Sequence, residues 1–200
     1  MRVRDLEVVY QRGGEPAVHG VSFDLGIGEG LLITGDRGSG KTSVLRALLG
    51  LVGAAGVVEI LCGRPGAIPV QRRVGYAPEG RTFAERHSPR EIVRIVSAIR
   101  IGRGSRDVAE DALERAGLPA DRRDVRSLEI EEIRRVAMAC AIAADPEVLV
   151  LDDPWEFVET EREITRARAR GAAVVVATHE PGGLPTLLGR TLNLVDGHPA

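Results

Sequence analysis

Lysine is almost missing from this sequence: 26 of its 27 basic residues are arginines, and the single lysine is Lys41. Cysteine is nearly as scarce. Cys62 and Cys140 lie far apart, without His or Cys neighbours at metal-ligand spacing, which argues against a disulfide framework or a zinc site. Two buried small apolar side chains in a reducing compartment are expected instead. No stretch approaches the roughly 18 apolar residues of a membrane-crossing helix, and Met1-Arg2-Val3-Arg4-Asp5 lacks the apolar core of a signal peptide. A soluble, cytosolic chain is the expectation. Repeats and low-complexity tracts are absent as well. With a net charge of −2 there is no broad basic footprint, so nucleic acid is not expected as a partner. The arginines at 72 and 73, 122 and 123, and 134 and 135 leave local contacts open as an alternative, with solvated helix faces the expected account. What remains is 200 residues, 44% apolar, enough for one domain with a sizeable core.

The lone lysine closes a glycine-rich octapeptide, Gly35-Asp36-Arg37-Gly38-Ser39-Gly40-Lys41-Thr42, followed by Ser43. Two glycines, Lys and a hydroxyl at this spacing form a phosphate-binding loop. Glycines let backbone N–H groups turn inward around a phosphate, and the helix that follows adds its positive end. The ammonium reaches phosphoryl oxygens as a compact point charge where a wide guanidinium fork would not fit, which explains why one position escapes the preference for arginine. Thr42 would offer its hydroxyl to Mg²⁺. The flanks agree: 31–34 reads as a buried strand and 42–51 as a helix with Val44, Leu45, Leu48 and Leu49 on its apolar face. A glycine-rich turn with a solvated lysine is the bland alternative.

Elsewhere, alternating apolar residues predict short antiparallel strands at 3–9 and 21–25, and further strands at 57–61 and 74–76 with a turn at 53–56. Helices are predicted over 89–99, 105–116 and 128–144, with Gly102-Arg103-Gly104 the most linker-like spot. A strand at 148–151, a helix at 158–170, a strand at 173–177, a short helix and a strand at 192–195 follow. The expected fold class is α/β, a single domain over 1–200. It has a mostly parallel sheet covered by helices, a small N-terminal antiparallel element and a short helical subdomain over about 80–144.

Val148-Leu149-Val150-Leu151-Asp152-Asp153-Pro154 is a buried strand ending in two carboxylates. Ligands gather beyond the carboxyl ends of parallel strands, so Asp152 is placed to hold Mg²⁺ across from Thr42, with Asp153 one step nearer a γ-phosphate. The strand at 173–177 runs into Thr178-His179 and sets an imidazole on the same edge.

In this order the motifs resemble the ATP-binding cassette (ABC) ATPase family over nearly the whole chain. The resemblance implies a P-loop NTPase fold and MgATP as ligand. Tyr10 stands where the family stacks an aromatic on adenine, beside the loop residues Gly35, Asp36, Arg37, Gly38, Ser39, Gly40, Lys41, Thr42 and Ser43. Glu79, in Val74-Gly75-Tyr76-Ala77-Pro78-Glu79, replaces the family's Mg²⁺-linked glutamine and joins Thr42 and Asp152 as an expected metal ligand. His179 matches the switch histidine on the γ-phosphate and, with Asp153, forms the hydrolytic end. The family also implies a second ABC subunit and an integral membrane permease whose cytoplasmic helix meets residues 83–99, which would keep the chain at the inner face of the membrane.

Three segments depart from the family. Leu128-Glu129-Ile130-Glu131-Glu132 replaces the signature Leu-Ser-Gly-Gly-Gln, which offers a hydroxyl and glycine N–H groups to the γ-phosphate held by the opposite subunit. Carboxylates there repel it, so a heterodimer is expected over a symmetric homodimer. A plainer role for the glutamates is favouring a helix N-terminus capped by Ser127. Asp153 replaces a glutamate that orients or deprotonates water. Misplacement by about 1 Å can cost on the order of 100-fold, so slow hydrolysis is expected. Trp155-Glu156-Phe157-Val158-Glu159 replaces a small-residue turn that couples the two sites. A nucleotide-gated module without turnover is the alternative. A small-molecule phosphotransferase is weaker, since it would need an acceptor pocket and a mobile Arg-bearing lid.

Overall fold

The computed structural model describes the chain apart from residues 12, 13, 81, 82, 84, 85, 103, 104, 119–122 and 155–157. Arg103 and Gly104 of the linker-like spot, Arg122, part of 83–99 and the Trp155-Glu156-Phe157 segment therefore lie outside the described residues.

The chain opens with β1 (Arg2–Val8) and β2 (Val18–Asp24), antiparallel as their alternation predicts, with Val3, Leu6, Val8, Val21 and Phe23 turned inward. β3 (Gly30–Thr34) leads through the glycine loop into α1 (Lys41–Leu48). β4 (Ala54–Glu59) then pairs with the free edge of β1, giving a three-stranded sheet ordered β2-β1-β4. The turn expected at 53–56 is corrected here. Ala54, Ala55 and Gly56 already belong to β4, and Gly56, at φ 85°, sits in a bulge opposite Asp5, where a Cβ would run into the Asp5 carbonyl oxygen.

A short α2 (Ile68–Gln71) precedes β5 (Val74–Ala77). α3 (Pro89–Ile101) starts at a capping box, with the Ser88 N–H donating to Glu91 Oε2 at 2.9 Å, and stops at Gly102 in the left-handed region. α4 (Arg106–Arg115) and α5 (Ile130–Ile142) complete the helical middle. Ser127 does not cap α5. It closes a 3₁₀ turn, its hydroxyl donating to the Asp124 carbonyl at 2.8 Å, and Glu129 is the capping residue instead. β6 (Val148–Asp152), α6 (Val158–Ala169), β7 (Ala173–Ala177), α7 (Leu184–Leu188), β8 (Thr191–Val195) and β9 (His198–Pro199) follow. β5, β6, β7, β3 and β8 lie parallel in that order, with β9 antiparallel at the edge.

Successive strand residues face opposite sides, and both sides are apolar because both are covered. Leu31, Ile33, Val148, Val150 and Val175 pack with α1 and the antiparallel sheet, whereas Leu32, Leu149, Leu151, Val174 and Val176 pack with α5, α6 and α7. α4 is tied to α6 by a buried fork: Arg115, 10% exposed, donates from Nε to Oε1 of Glu163, 6% exposed, at 3.0 Å and from Nη2 to Oε2. The same guanidinium reaches Asp111 at 3.0 Å and Asp145 at 3.1 Å. Of the two cysteines expected to be buried, Cys140 is, but Cys62 is exposed, because it lies at positive φ in the turn after β4 rather than in the core. Among the described residues no helix is long and apolar enough to cross a membrane.

Candidate functional site

The parallel strands β3, β6 and β7 end side by side, and the loops leaving them hold the polar residues singled out in the sequence. The loop after β3 is shaped by its glycines. Gly40 has φ 97°, and a Cβ there would stand 2.5 Å from the Ala17 carbonyl oxygen. Gly35, also at positive φ, lies against the Leu194 carbonyl. The Gly197 N–H donates to the Ser39 carbonyl at 3.2 Å, so β8 and β9 brace the loop from one side and the start of β2 from the other.

α1 begins directly at Lys41 with glycine as its N-cap, no side-chain cap and no acidic residue in its first turn. Its leading N–H groups and helix dipole are thus left for an external anion, in contrast to the boxed start of α3. Lys41 Nζ donates to the carbonyls of Gly35 and Asp36, both at 2.7 Å, and to Ser39 Oγ at 3.4 Å. Burial pulls the ammonium below its ordinary pKa, and the charges of Asp153, Asp152, Asp36 and Glu79 oppose that shift. Asp36 and Arg37 are exposed beside it. The Tyr10 hydroxyl donates to Ser43 Oγ at 3.1 Å, and its ring, 52% exposed, overhangs the start of α1. Hydrogen bonding to Tyr10 raises the pKa of Arg46 on the same helix.

Asp152 is 5% exposed at the end of β6. Its Oδ1 accepts from Thr42 Oγ1 at 3.1 Å and its Oδ2 from the Tyr76 hydroxyl at 3.4 Å. Burial holds its carboxyl above the usual carboxylate range. The Thr42 and Tyr76 hydrogen bonds lower it, while Glu79 and Asp153 push it further up. Burial likewise drives the Tyr76 phenol up to about 12, with Asp152 adding to it. Glu79, Asp152 and Asp153 line one small cavity. Hydroxyl and carboxylate oxygens around a buried acid whose charge is poorly compensated suit a hard divalent ion. Among the described residues no group of three or more His, Cys, Asp or Glu forms a metal cage. A few protein oxygens completed by phosphate oxygens and water is how Mg²⁺ is held with nucleotides, so the donor set fits that ion.

Asp153 adopts φ 46° and donates its N–H to the Ala177 carbonyl at 2.7 Å. Its Oδ1 accepts from Thr178 Oγ1 at 2.8 Å and lies 3.0 Å from His179 Nδ1. Register produces this meeting: Asp152 pairs with Ala177 across β6 and β7, so the next residues of both strands leave the sheet together. They open on a polar cleft of about 350 Å³ that Arg37, Arg134 and Glu180 also line. Tyr10, the loop, Glu79, Asp152, Asp153 and His179 are all brought to one edge. Thr178 and Tyr76 were not singled out from the sequence for the contacts they make. Both sit at carboxyl ends of strands flanking the acidic one, and that position was the available signal.

The segment Leu128 to Glu132, expected at the signature position, lies at the start of α5. Glu131 and Glu132 occupy its first turn, Glu132 Oε2 accepts the Glu129 N–H at 2.9 Å, and Glu132 also pairs with Arg123.

The family model described as ABC transporter matches residues 18–156. The zinc import ATP-binding protein ZnuC of Paracoccus denitrificans is 34% identical over 186 residues, covering 88% of this chain and 68% of that protein. The cytochrome c biogenesis ATP-binding export protein CcmA of Rhodobacter capsulatus is 32% identical over 192 residues, covering 89% and 81%. Among solved structures, the dimeric post-hydrolysis state of the ATP-binding cassette MJ0796 with ADP and Pi superposes with a TM-score of 0.87 at 23% identity, over 99% of this chain and 95% of that one. With the family model covering more than half its length and relatives above 30% identity aligned along most of it, the chain belongs to the ABC transporter family of ATP-binding subunits, P-loop ATPases in fold and class.

Proposed function

We propose that this subunit binds MgATP with the triphosphate on the Gly35 to Thr42 loop and adenine against Tyr10, and hydrolyses it slowly at the Asp153 and His179 edge. The observation that carries the reading is the uncapped start of α1, with Lys41 at its mouth, facing the carboxylates that end β6. Phosphoryl transfer to water needs positioning and charge neutralisation rather than covalent chemistry. The loop N–H groups and Lys41 supply charge to the phosphates. Thr42, Asp152 and Glu79 would hold Mg²⁺, which neutralises the β- and γ-oxygens when bound.

Two partners follow. The first is a second cassette with an intact signature, because Glu129, Glu131 and Glu132 offer like charge where a γ-phosphate would need donors. The second is a membrane permease. An apolar groove of about 450 Å³ opens between α2, β5 and α3, lined by Ile68, Val74, Val96 and Ile99, with Ile68 and Ile99 more than 60% exposed. Such a groove suits the apolar face of an amphipathic helix. Arg100, which also lines it, donates to the carbonyls of Ala141 at 3.0 Å and Ala143 at 2.6 Å at the end of α5, a direct link from the groove to the helix that starts at the signature position. The cassette would work from the inner face of the membrane, with residues 80–144 as its helical subdomain and cargo set by the permease.

Purification from native membranes through a tag on this chain tests the assignment. Recovery of an integral membrane protein and a second cassette with it, together with Lys41-dependent phosphate release, is the expected result. A soluble chain that elutes alone and releases phosphate at the rate of an ordinary cassette pair overturns the partner assignment.

A further inference from the structure

Two adjacent arginines lie in the second turn of α5, and the helix turns them to different tasks. Arg135 is committed to the frame: its Nη1 donates to the Ala116 carbonyl just beyond α4 at 3.0 Å and lies 3.4 Å from Glu159 of α6. Arg134 faces the site. With Ala137 and Met138 it lines the small cavity of Glu79, Asp152 and Asp153, so this face of α5 lies against the carboxyl ends of β5 and β6. It also borders the polar cleft of Arg37, Asp153, Thr178 and His179, and among the described residues it is the only side chain of the helical middle that does. We propose that Arg134 is a catalytic residue: its guanidinium binds the γ-phosphoryl group of the nucleotide held by its own chain and neutralises the charge that develops there during hydrolysis. The proposal rests on the hydrolytic reading above.

Charge and support both favour this side chain. The cleft already holds the carboxylates of Asp153 and Glu180, and a γ-phosphoryl group adds further negative charge, so cations are what its wall must supply. Arg37 sits exposed on the glycine loop. Arg134 is half-buried on a helix whose Ile133, Val136 and Ala137 belong to the core, a mount that holds it near Asp153 before any nucleotide arrives. A guanidinium presents parallel N–H donors that match two phosphoryl oxygens, and donors fixed in place ahead of the reaction stabilise developing charge most strongly. One turn earlier the same helix carries Glu129, Glu131 and Glu132, of which Glu132 is paired with Arg123. The cation missing from the first turn is therefore present in the second, directed at this chain's own phosphate edge. In the step itself, the water oxygen bonds to the γ-phosphorus as the bond from that phosphorus to the β,γ-bridging oxygen breaks. The electron pair leaves with ADP, and both water hydrogens finish on the inorganic phosphate, which later ionises. Arg134 makes and breaks no covalent bond; its hydrogen bonds to the γ-phosphoryl oxygens strengthen as charge spreads over them.

Phosphate release from saturating MgATP by the full chain with its partner subunits, read beside ATP affinity and trapping of ADP by orthovanadate, tests this. Arg134→Ala is expected to lose about 100-fold or more in kcat and to lose vanadate trapping, while Kd for ATP changes by less than about 3-fold. Guanidinium chloride at a non-denaturing concentration should restore part of the turnover, and sodium chloride at the same ionic strength should not. Arg134→Lys keeps the charge without the fork and should lose about 10-fold, the worth of one hydrogen bond to a charged group. Where alanine disturbs packing, Arg134→Met, matched to the wild type in melting temperature, should show the same loss of kcat. Wild-type turnover in a folded Arg134→Ala or Arg134→Met chain, ATP affinity lost in step with turnover, intact vanadate trapping, or absence of guanidinium rescue overturns the proposal and leaves Arg134 a structural residue. A wild-type complex that binds nucleotide and releases no phosphate defeats the hydrolytic reading itself, a result visible before any variant is made.

Discussion

Lys41→Ala separates a phosphate site from a merely well-folded loop, because the two roles of the ammonium differ in size. Without nucleotide, Nζ spans two carbonyls, those of Gly35 and Asp36, on a loop whose tip is exposed. Alanine leaves those oxygens to water, so the stability cost is about 1 kcal/mol or less, a fall of about 2–4 °C in melting temperature for a domain of this size. Toward a triphosphate the ammonium exchanges two dipole acceptors for two charged ones, and only the increment counts. Hydrogen bonds to charged groups contribute about 1.5–3 kcal/mol, so with two formed and two given up the net loss is about 2–3 kcal/mol, or roughly 30- to 150-fold in Kd. Lys41→Arg should lose nearly as much, since the charge remains but the planar fork does not fit the loop. Equilibrium titration with a fluorescent ATP analogue, paired with thermal melts of the nucleotide-free chain, reads both quantities. Unchanged affinity refutes the site. An affinity loss matched by an equal loss of folding free energy refutes the reasoning that separates the two roles.

Gly40→Ala forces a left-handed alanine against the Ala17 carbonyl and is expected to cost about 2 kcal/mol or more, with nucleotide binding lost; an unaltered melt would show that the loop is not wedged there. Arg115→Met leaves Glu163 buried without a cation and should cost about 3–5 kcal/mol in urea unfolding. Glu163→Gln leaves Arg115 with Asp111 and Asp145 and should cost about 1–2 kcal/mol, so equal costs would contradict the asymmetry. Asp152 is held above its ordinary pKa by burial, so it contributes stability below its unfolded pKa and withdraws it as pH rises through the folded value. Asp152→Asn should therefore raise the melting temperature of the nucleotide-free chain at neutral pH while weakening Mg²⁺-dependent ATP binding by at least about 10-fold; a destabilised variant with normal binding would reverse the assignment.

The glycine loop was legible because its chemistry is local: positive φ, an ammonium and a helix start fall within eight consecutive residues. The parallel core was legible because strands covered on both faces are uniformly apolar. Contacts set by register were not. Thr178 and Asp153 are 25 residues apart, and only the pairing of Asp152 with Ala177 brings them together. Glycine at 56 reads as a turn because a bulge and a turn both require positive φ, and the partner strand decides between them. Ser127 reads as a cap because serine is a good one, but a 3₁₀ turn uses its hydroxyl first. The Asp196-Gly197 turn between β8 and β9 did carry a readable signal, an Asp-Gly pair after an apolar strand.

The starts of α1 and α5 are built in opposite ways, and the contrast bears on the partner. α1 begins on glycine with no carboxylate in its first turn, so its amides and dipole remain available to an anion. α5 begins on Glu129, whose N–H is taken by Glu132, with Glu131 beside it and Arg123 neutralising Glu132 from within the chain. Its far end is likewise closed, by Arg100 on the last carbonyls. The helix expected to present donors to a neighbour's γ-phosphate thus starts at a capping box made of its own carboxylates and ends on its own chain's Arg100. The helix start proposed to receive phosphate is left open. On the proposed reading one copy would accept a donor-bearing signature from a partner without having one to return, which is why that reading pairs it with a different cassette; a nucleotide-bound homodimer of this chain in sedimentation would refute it.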